Sequence, residues 1–438
     1  MTSSELPRSP IEFPSKTWYQ VVAFFMALYF IGLPSSNAVL SLVWNFVFFF
    51  SAGYAVYLGI SRSKAWDHFK LPPVDRILGV IMIAWLIPTL ISYQNTHLMK
   101  AIFNLKWIPG LYAIVFLLRV LGHRFNLKKW IHGSLIVAGL SGLYGTWQSL
   151  TGIELIRPGR QILHPIENLF RATGFFSGSL TFSTFMGAFS LIGFGLFYRQ
   201  WRLTKQIKPH IWLLIVGLSS MSGLFFSFSR GAFLGYCITL ILMTLIASRK
   251  LFISMILLGS ILIGTLYYKS PAFHNRVHSV RNYQADTSAR IRLDLWESAL
   301  MMFKDRPLLG SGLGTFRHEL PAYYARIKPH DPTFISHAHN LYLHILAETG
   351  LFGFISFLIL LGIMLFLNWR LYRSANKAWE SGLYFGLLSA QVFFLLNSVI
   401  EVTFFDMEIN HLMNLLWAII LFKALPAQTS NRLSTPAS

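Results

Sequence analysis

The chain has 438 residues, of which 54% are hydrophobic, 16% aromatic and 12% charged, a balance too apolar for an ordinary soluble globule. Its formal net charge of +20 would point to nucleic acid in a soluble protein, but here the placement of the charges decides before their total. A single cysteine, Cys237, lies inside an apolar run, which excludes an intrachain disulfide and reads as a packed, inert thiol, not a metal ligand.

The first residues, 1–17, contain no short apolar stretch followed by a small-residue cleavage site, and are expected to be a retained cytosolic tail. Apolar runs then predict spans near 18–33, 38–60, 77–93, 101–118, 130–152, 174–198, 209–227, 231–247, 251–267, 350–369, 381–400 and 411–425. Runs such as 38–60 exceed the roughly 20 residues a helix needs to cross the hydrocarbon layer. The expected fold class is therefore all-α, a polytopic transmembrane helix bundle of about twelve spans. With the N-terminus cytosolic, every inward loop is basic: Arg62, Lys64, Lys70 and Arg76; Arg119, Arg124, Lys128 and Lys129; Arg199, Arg202, Lys205 and Lys208; Arg249 and Lys250; Arg370, Arg373 and Lys377. The short outward segments 34–37 and 401–410 have no Lys or Arg, and 94–100 has only Lys100. This is the asymmetry of the positive-inside rule, and it places both termini in the cytosol. The surplus charge is a topology signal, reinforced by anionic headgroups of the inner leaflet. No nucleic-acid partner is expected.

Two outward segments break the pattern. Segment 153–173 carries Arg157, Arg160 and Arg171, and the long segment 268–349 holds ten Lys or Arg. Within the latter, 288–307 puts Ile291, Leu295, Ala299 and Met302 on one helical face, with Ser288 as a candidate cap and Pro307 as the stop. The expected organisation is a cytosolic tail (1–17), nine spans (18–267), a mostly helical periplasmic cap (268–349), three spans (350–425) and a disordered cytosolic tail (426–438).

The chemistry-bearing candidates gather on the outward side. Arg230 in SRGA sits where one helix emerges and the next re-enters, and is read either as a snorkelling anchor or as an anion ligand. Arg171 and Arg290 also stand at outward span or helix starts, so the three arginines can converge on one anionic group, whereas each taken alone reads as a surface ion pair. In HAHN, His337, His339 and Asn340 precede an apolar helix, where a neutral imidazole suits a general base as well as an interfacial hydrogen bond. The His-x-His pair lacks the companions of a zinc site, so no metal is expected. The glycines of 310–316 lack the Lys-Ser/Thr of a phosphate loop and read as a tight turn. Lys106 is read as the most embedded cation, either snorkelling or binding phosphate. Glu348 is read either as a local, structural hydrogen-bond partner, the favoured reading, or as a helper that orients a catalytic group, and the acidic loop 401–410 either pairs with the basic cap or meets a sugar.

The ordered set SRGA, ARIxxxxWxxAL, P-LLGSGLGTF and HAHNLYLHILAETGLFG, spread over about residues 170–365, closely resembles the O-antigen ligase/polymerase superfamily of bacterial envelope enzymes. The resemblance implies an inner-membrane glycosyltransferase with a periplasmic active site. It would transfer a glycan from an undecaprenyl diphosphate carrier to an acceptor hydroxyl, without metal or nucleotide cofactor and with inversion. It also implies that Arg230 and Arg290 hold the diphosphate and that His339 is the general base, while Arg171, Lys106, His337 and Asn340 are candidate substrate contacts. The implied partners are the undecaprenyl diphosphate-linked donor, a lipid A-core acceptor and membrane lipids. The shared motifs fit a ligase, a polymerase or a protein O-oligosaccharyltransferase. No arginine here is followed by glycine eleven positions later, which favours the ligase over the polymerase. A non-enzymatic polysaccharide lipid transporter is the competing class, but the polar residues concentrate on one face instead of the midplane.

Overall fold

A computed structural model describes residues 16–35, 37–60, 70–71, 73–91, 104–157, 165–166, 169–269, 287–328 and 337–425. The expectations for 1–15 and 426–438, and those for Arg62, Lys64, Lys100 and Arg160, lie outside the described residues, as do 270–286 and 329–336 of the expected cap. Each of the twelve apolar runs contains a helix. In chain order these are α1 (Lys16–Gly32), α2 (Asn37–Ile60), α3 (Val74–Ile91), α4 (Trp107–Leu121), α5 (Leu127–Thr151), α6 (Ser179–Thr204), α7 (Ile211–Phe226), α8 (Arg230–Ala247) and α9 (Arg249–Lys269). Then follow two cap helices, α10 (Thr287–Asp305) and α11 (Phe316–Ile327), and α12 (Leu341–Ser374), α13 (Ala378–Asn397) and α14 (Met407–Ala424). A two-residue antiparallel ladder, β1 (Pro165–Ile166) with β2 (Leu169–Phe170), is an addition to the all-α expectation.

Among the described residues, six helices are long and apolar enough to cross a membrane by length and composition: α3, α6, α7 with its leading turn, α8, α12 and α13. The chain is thus a multi-pass membrane protein. Its outer surface agrees, since Ile253, Leu257, Leu258 and Ile261 of α9 and Phe352, Ile359 and Phe366 of α12 all project outward, a pattern stable only against lipid or another apolar surface.

Small residues let the helix backbones close on one another. A Cβ on Gly195 of α6 would meet the Gly386 Cα of α13 at 2.6 Å, so these two helices touch backbone to backbone. Their contact positions the site, because Asn397 at the end of α13 donates to Thr184 Oγ1 of α6 at 3.0 Å. At the opposite end of the bundle, the buried Arg119 guanidinium donates to the Lys70 carbonyl at 2.9 Å and also to that of Leu425.

The cap helices have their own core. Leu295, Ala299 and Met302 of α10 are buried against Phe316, Leu320, Tyr323 and Tyr324, with Ile291 partly covered beside them, as the periodicity predicts. Full burial of a Leu or Met side chain stabilises by about 1.5–3 kcal/mol. The helix begins at Thr287, so Ser288 falls in its first turn and is not the cap. α12 breaks at Gly350 (φ 61°, ψ −166°). A Cβ there would lie 2.4 Å from the Leu308 carbonyl carbon, and one on Gly310 (φ 73°) would lie 2.4 Å from that of Glu348. The 308–314 turn therefore clasps the break, backbone against backbone.

Candidate active site

The turn at 310–316 has no phosphate-loop geometry. Instead its N–H groups converge on Glu348, whose carboxylate accepts from Gly314 and Phe316, each at 2.9 Å, while the Glu348 carbonyl accepts from Gly312 at 2.8 Å. Glu348 is 1% exposed and acts structurally, tying the cap to the first half of α12. Asn340 is the N-cap of α12, its side chain accepting from the Leu343 N–H at 3.0 Å, a bond that commonly contributes about 1 kcal/mol. The Leu341 N–H donates to the Ser398 carbonyl at 2.8 Å. His339 is thus held one residue before a capped and tethered helix, in the left-handed region at φ 47°, a conformation that non-glycine residues adopt mainly where the surroundings enforce it.

That backbone places His339 Nδ1 3.1 Å from Glu401 Oε2, and Glu401 Oε1 accepts from Arg292 Nη2 at 3.0 Å. The carboxylate is 3% exposed. The acidic loop therefore pairs with the basic cap through Glu401. His337 lies beside the pair, with its ring centroid 4.3 Å from that of His339. Burial pushes the His337 pKa down to about 4, aided by the neighbouring His339 and His344 and opposed by Glu401, so His337 is neutral at physiological pH.

Arg171 comes from the other side. Its Nη2 donates to the Phe228 carbonyl at 3.3 Å and the next N–H, of Ala172, to the Phe226 carbonyl at 2.9 Å, which fastens it to the α7–α8 corner where Arg230 begins α8. Burial and then the Arg230 charge push Arg171 below the usual arginine value; Glu401 pulls the other way and Arg292 adds to the lowering. Two guanidinium groups are thus held within electrostatic reach of each other. The 171–176 backbone is fixed by Gln148, whose Oε1 accepts from the N–H groups of Thr173 at 3.2 Å and Gly174 at 2.8 Å. Arg157 donates to Thr173 Oγ1 and to the carbonyls of Gly174 and Phe176, and pairs with Glu154 at 2.9 Å. Arg157 is thereby a strut for this loop.

Arg171, His337 and Glu401, with Arg317 and Asp406 among others, line a cleft of about 590 Å³. Arg230 is exposed at its helix start. Arg290 is also exposed; its charge acts on Lys328, which pairs with Asp294 at 2.8 Å. At 100° per residue, Arg290 stands about 200° around α10 from Arg292, and Arg292 takes the inward position. Of the site residues named from the sequence, Arg171 and His337 line the cleft, whereas His339, Asn340, Arg230, Arg290 and Lys106 are not among its lining residues, nor is Arg292. Lys106 is the N-cap residue of α4 and exposed, so it stands just before the helix that the apolar run 101–118 places it in. Asp406 is a member the sequence reading passed over. Its carboxylate accepts from Thr181 Oγ1 at 2.9 Å, and burial, together with the Glu408 and Glu401 charges, pushes it up to about 7 against the opposing Thr181 bond.

Sequence reasoning missed Arg292 and singled out neither Glu401 nor Asp406 within the acidic loop. For Arg292 a signal existed: from the centre of the apolar face Ile291–Met302 it stands about 65° away, and Arg290 about 135°.

No curated protein matches the chain. Residues 213–358, from α7 through the SRGA corner and the cap helices to just beyond the Gly350 break, match the family model for O-antigen ligase, which supports the resemblance to the O-antigen ligase/polymerase superfamily over that part of the chain.

Proposed function

We propose that the chain is an O-antigen ligase, transferring a glycan from undecaprenyl diphosphate to a sugar hydroxyl of lipid A-core at the periplasmic face of the bacterial inner membrane. In this reading the protein has about twelve spans, the cap 268–349 is periplasmic and both termini are cytosolic. The observation that carries the proposal is the Arg292–Glu401–His339 chain of contacts, whose central residue Glu401 lines the same cleft as Arg171. With its Nδ1–H donated to Glu401, His339 holds a lone pair on Nε2, the tautomer a general base needs. His339 Nε2 takes the proton of the acceptor hydroxyl as that oxygen attacks the anomeric carbon. The bond from that carbon to the diphosphate oxygen breaks on the opposite face, and its electron pair leaves with the diphosphate. The anomeric centre inverts. Arg171 and Arg230 stabilise the charge that grows on the diphosphate through charge-assisted hydrogen bonds. Arg290, which the resemblance names for the same task, stands at the far side of α10 as a further candidate. Arg292 fixes Glu401, and neutral His337 packs against the base without competing for its proton. No step requires a metal or cofactor.

The test is transfer in detergent from a synthetic glycosyl undecaprenyl diphosphate, with lipid A-core and a second carrier-linked glycan as competing acceptors, by wild type and His339→Ala. Product on lipid A-core that depends on His339 is expected. Product on the carrier-linked glycan would make the protein a polymerase. Absence of product on either would direct the search to protein acceptors or to a transport role.

A further inference from the structure

The cleft has a wall that the transfer chemistry above does not use. It is built where the loop 401–406 meets the start of α6. Asp406 is the N-cap residue of α14, yet its side chain makes no capping bond; an aspartate there ordinarily accepts from the first-turn N–H groups. Instead its carboxylate reaches across to the Thr181 hydroxyl of α6 at 2.9 Å. Thr403 is 4% exposed, lines the cleft, and its Oγ1 has no hydrogen-bond partner among the described residues. A buried hydroxyl left so costs roughly 1–3 kcal/mol. Phe405 lines the same cleft between them in sequence, and Ser177 and Ser179 add hydroxyls from the start of α6.

We infer that Asp406, Thr181, Thr403 and Phe405 form a sugar-binding subsite that holds the acceptor ring and presents its hydroxyl to His339. The chemistry of the wall selects this ligand. Sugar hydroxyls both donate and accept, and they are matched by hydroxyls and a carboxyl that do the same, while an aromatic side chain covers the ring's apolar C–H face. A diphosphate is matched instead by guanidinium groups, which Asp406, Thr181, Thr403 and Phe405 do not offer, and so belongs with Arg171 and Arg230. The acceptor ring is favoured over the donor ring because one short loop carries both functions: Glu401 at its start is bonded to the base, and Asp406 stands at its end. The same loop then orients the base and the group the base deprotonates.

This inference rests on the glycosyltransferase reading, and the experiment separates the two. Thr403→Val removes only a hydroxyl that has no partner among the described residues, so the thermal midpoint should hold or rise while the acceptor KM rises about tenfold, the value of one good hydrogen bond. Asp406→Asn should raise the acceptor KM at least as much. In neither variant should the donor KM move. An unchanged acceptor KM in both variants, or a rise confined to the donor KM, would overturn the subsite. If wild type transfers no glycan at all, saturation-transfer NMR with lipid-free core oligosaccharide still decides. Sugar signals lost in Thr403→Val would support the subsite even as the transferase reading fell, and signals absent from wild type, or equal in the two proteins, would sink it.

Discussion

Replacing Glu401 with glutamine tests the core of the proposed chemistry. In the native arrangement both oxygens accept, one from Arg292 at 3.0 Å and the other associated with His339 Nδ1 at 3.1 Å, in a site where the carboxylate is 3% exposed. A glutamine has one acceptor and an NH2 group. With its oxygen toward Arg292, its NH2 faces His339 Nδ1, and the pair can be satisfied only if the imidazole moves its proton to Nε2. That is the wrong tautomer for a base acting through Nε2. General-base assistance contributes roughly 10²–10⁴-fold, so Glu401→Gln should lower kcat for transfer by that factor, about 3–5 kcal/mol of barrier. Stability should fall less, by about 1–3 kcal/mol, since Arg292 keeps an acceptor and is itself partly exposed. The assay is steady-state transfer from glycosyl undecaprenyl diphosphate in detergent, with the thermal midpoint as the control. A kcat within about threefold of wild type would refute the orienting role of Glu401.

The remaining predictions concern the clasp, the histidine pair and the arginines. Gly310→Ala should destabilise by about 2–5 kcal/mol, combining left-handed strain with a Cβ pressed on the Glu348 backbone; a thermal midpoint within about 2 °C of wild type would contradict the clasp. His337 has its folded pKa lowered to about 4 from 6.5. The unfolded chain therefore binds the proton first, and stability falls as pH drops from 6.5 toward 4, by roughly 2–3 kcal/mol. His337→Asn should flatten that part of the curve, and an unchanged pH slope would show that this histidine is not held neutral. Arg230→Lys and Arg171→Lys should each lose most transfer, because an ammonium lacks the planar fork. Arg290→Lys, run beside them, shows whether a guanidinium on the far side of α10 serves the donor, and near-normal turnover there would leave the diphosphate to the other two.

Much of the fold was legible because lipid imposes a simple rule: backbone polar groups must be satisfied within each segment, so apolar runs become helices. The boundaries were less so. The run expected at 174–198 begins as a helix only at Ser179, since residues 171–176 are held in an irregular loop by Gln148 and Arg157, contacts that no local pattern announces. α4 begins at Trp107, which moves Lys106 from the helix to its cap. α14 carries Glu408, Asn410, His411 and Asn414 among its buried residues, polar groups that lower its hydropathy although it packs in the interior.

In the site, His339 was visible as a histidine before an apolar helix, but its partner was not. Glu401 lies 62 positions away, and only the closure of α12 on the end of α13 brings them together. Arg290 and Arg292 differ in sequence by two places and in space by half a turn. A motif records which residues recur together, whereas the phase of α10 follows from its apolar face.

The matched family segment ends at residue 358, and that boundary has a consequence for protein engineering. His339 and Arg292 lie inside it, but Glu401, Arg171 and Asp406 do not. Grafting residues 213–358 into a related scaffold would carry the imidazole across without the carboxylate that touches it. Such a chimera would work only if the recipient supplied its own acid at the turn before its last helix, so the transplantable unit is a pair of distant segments and not the contiguous block.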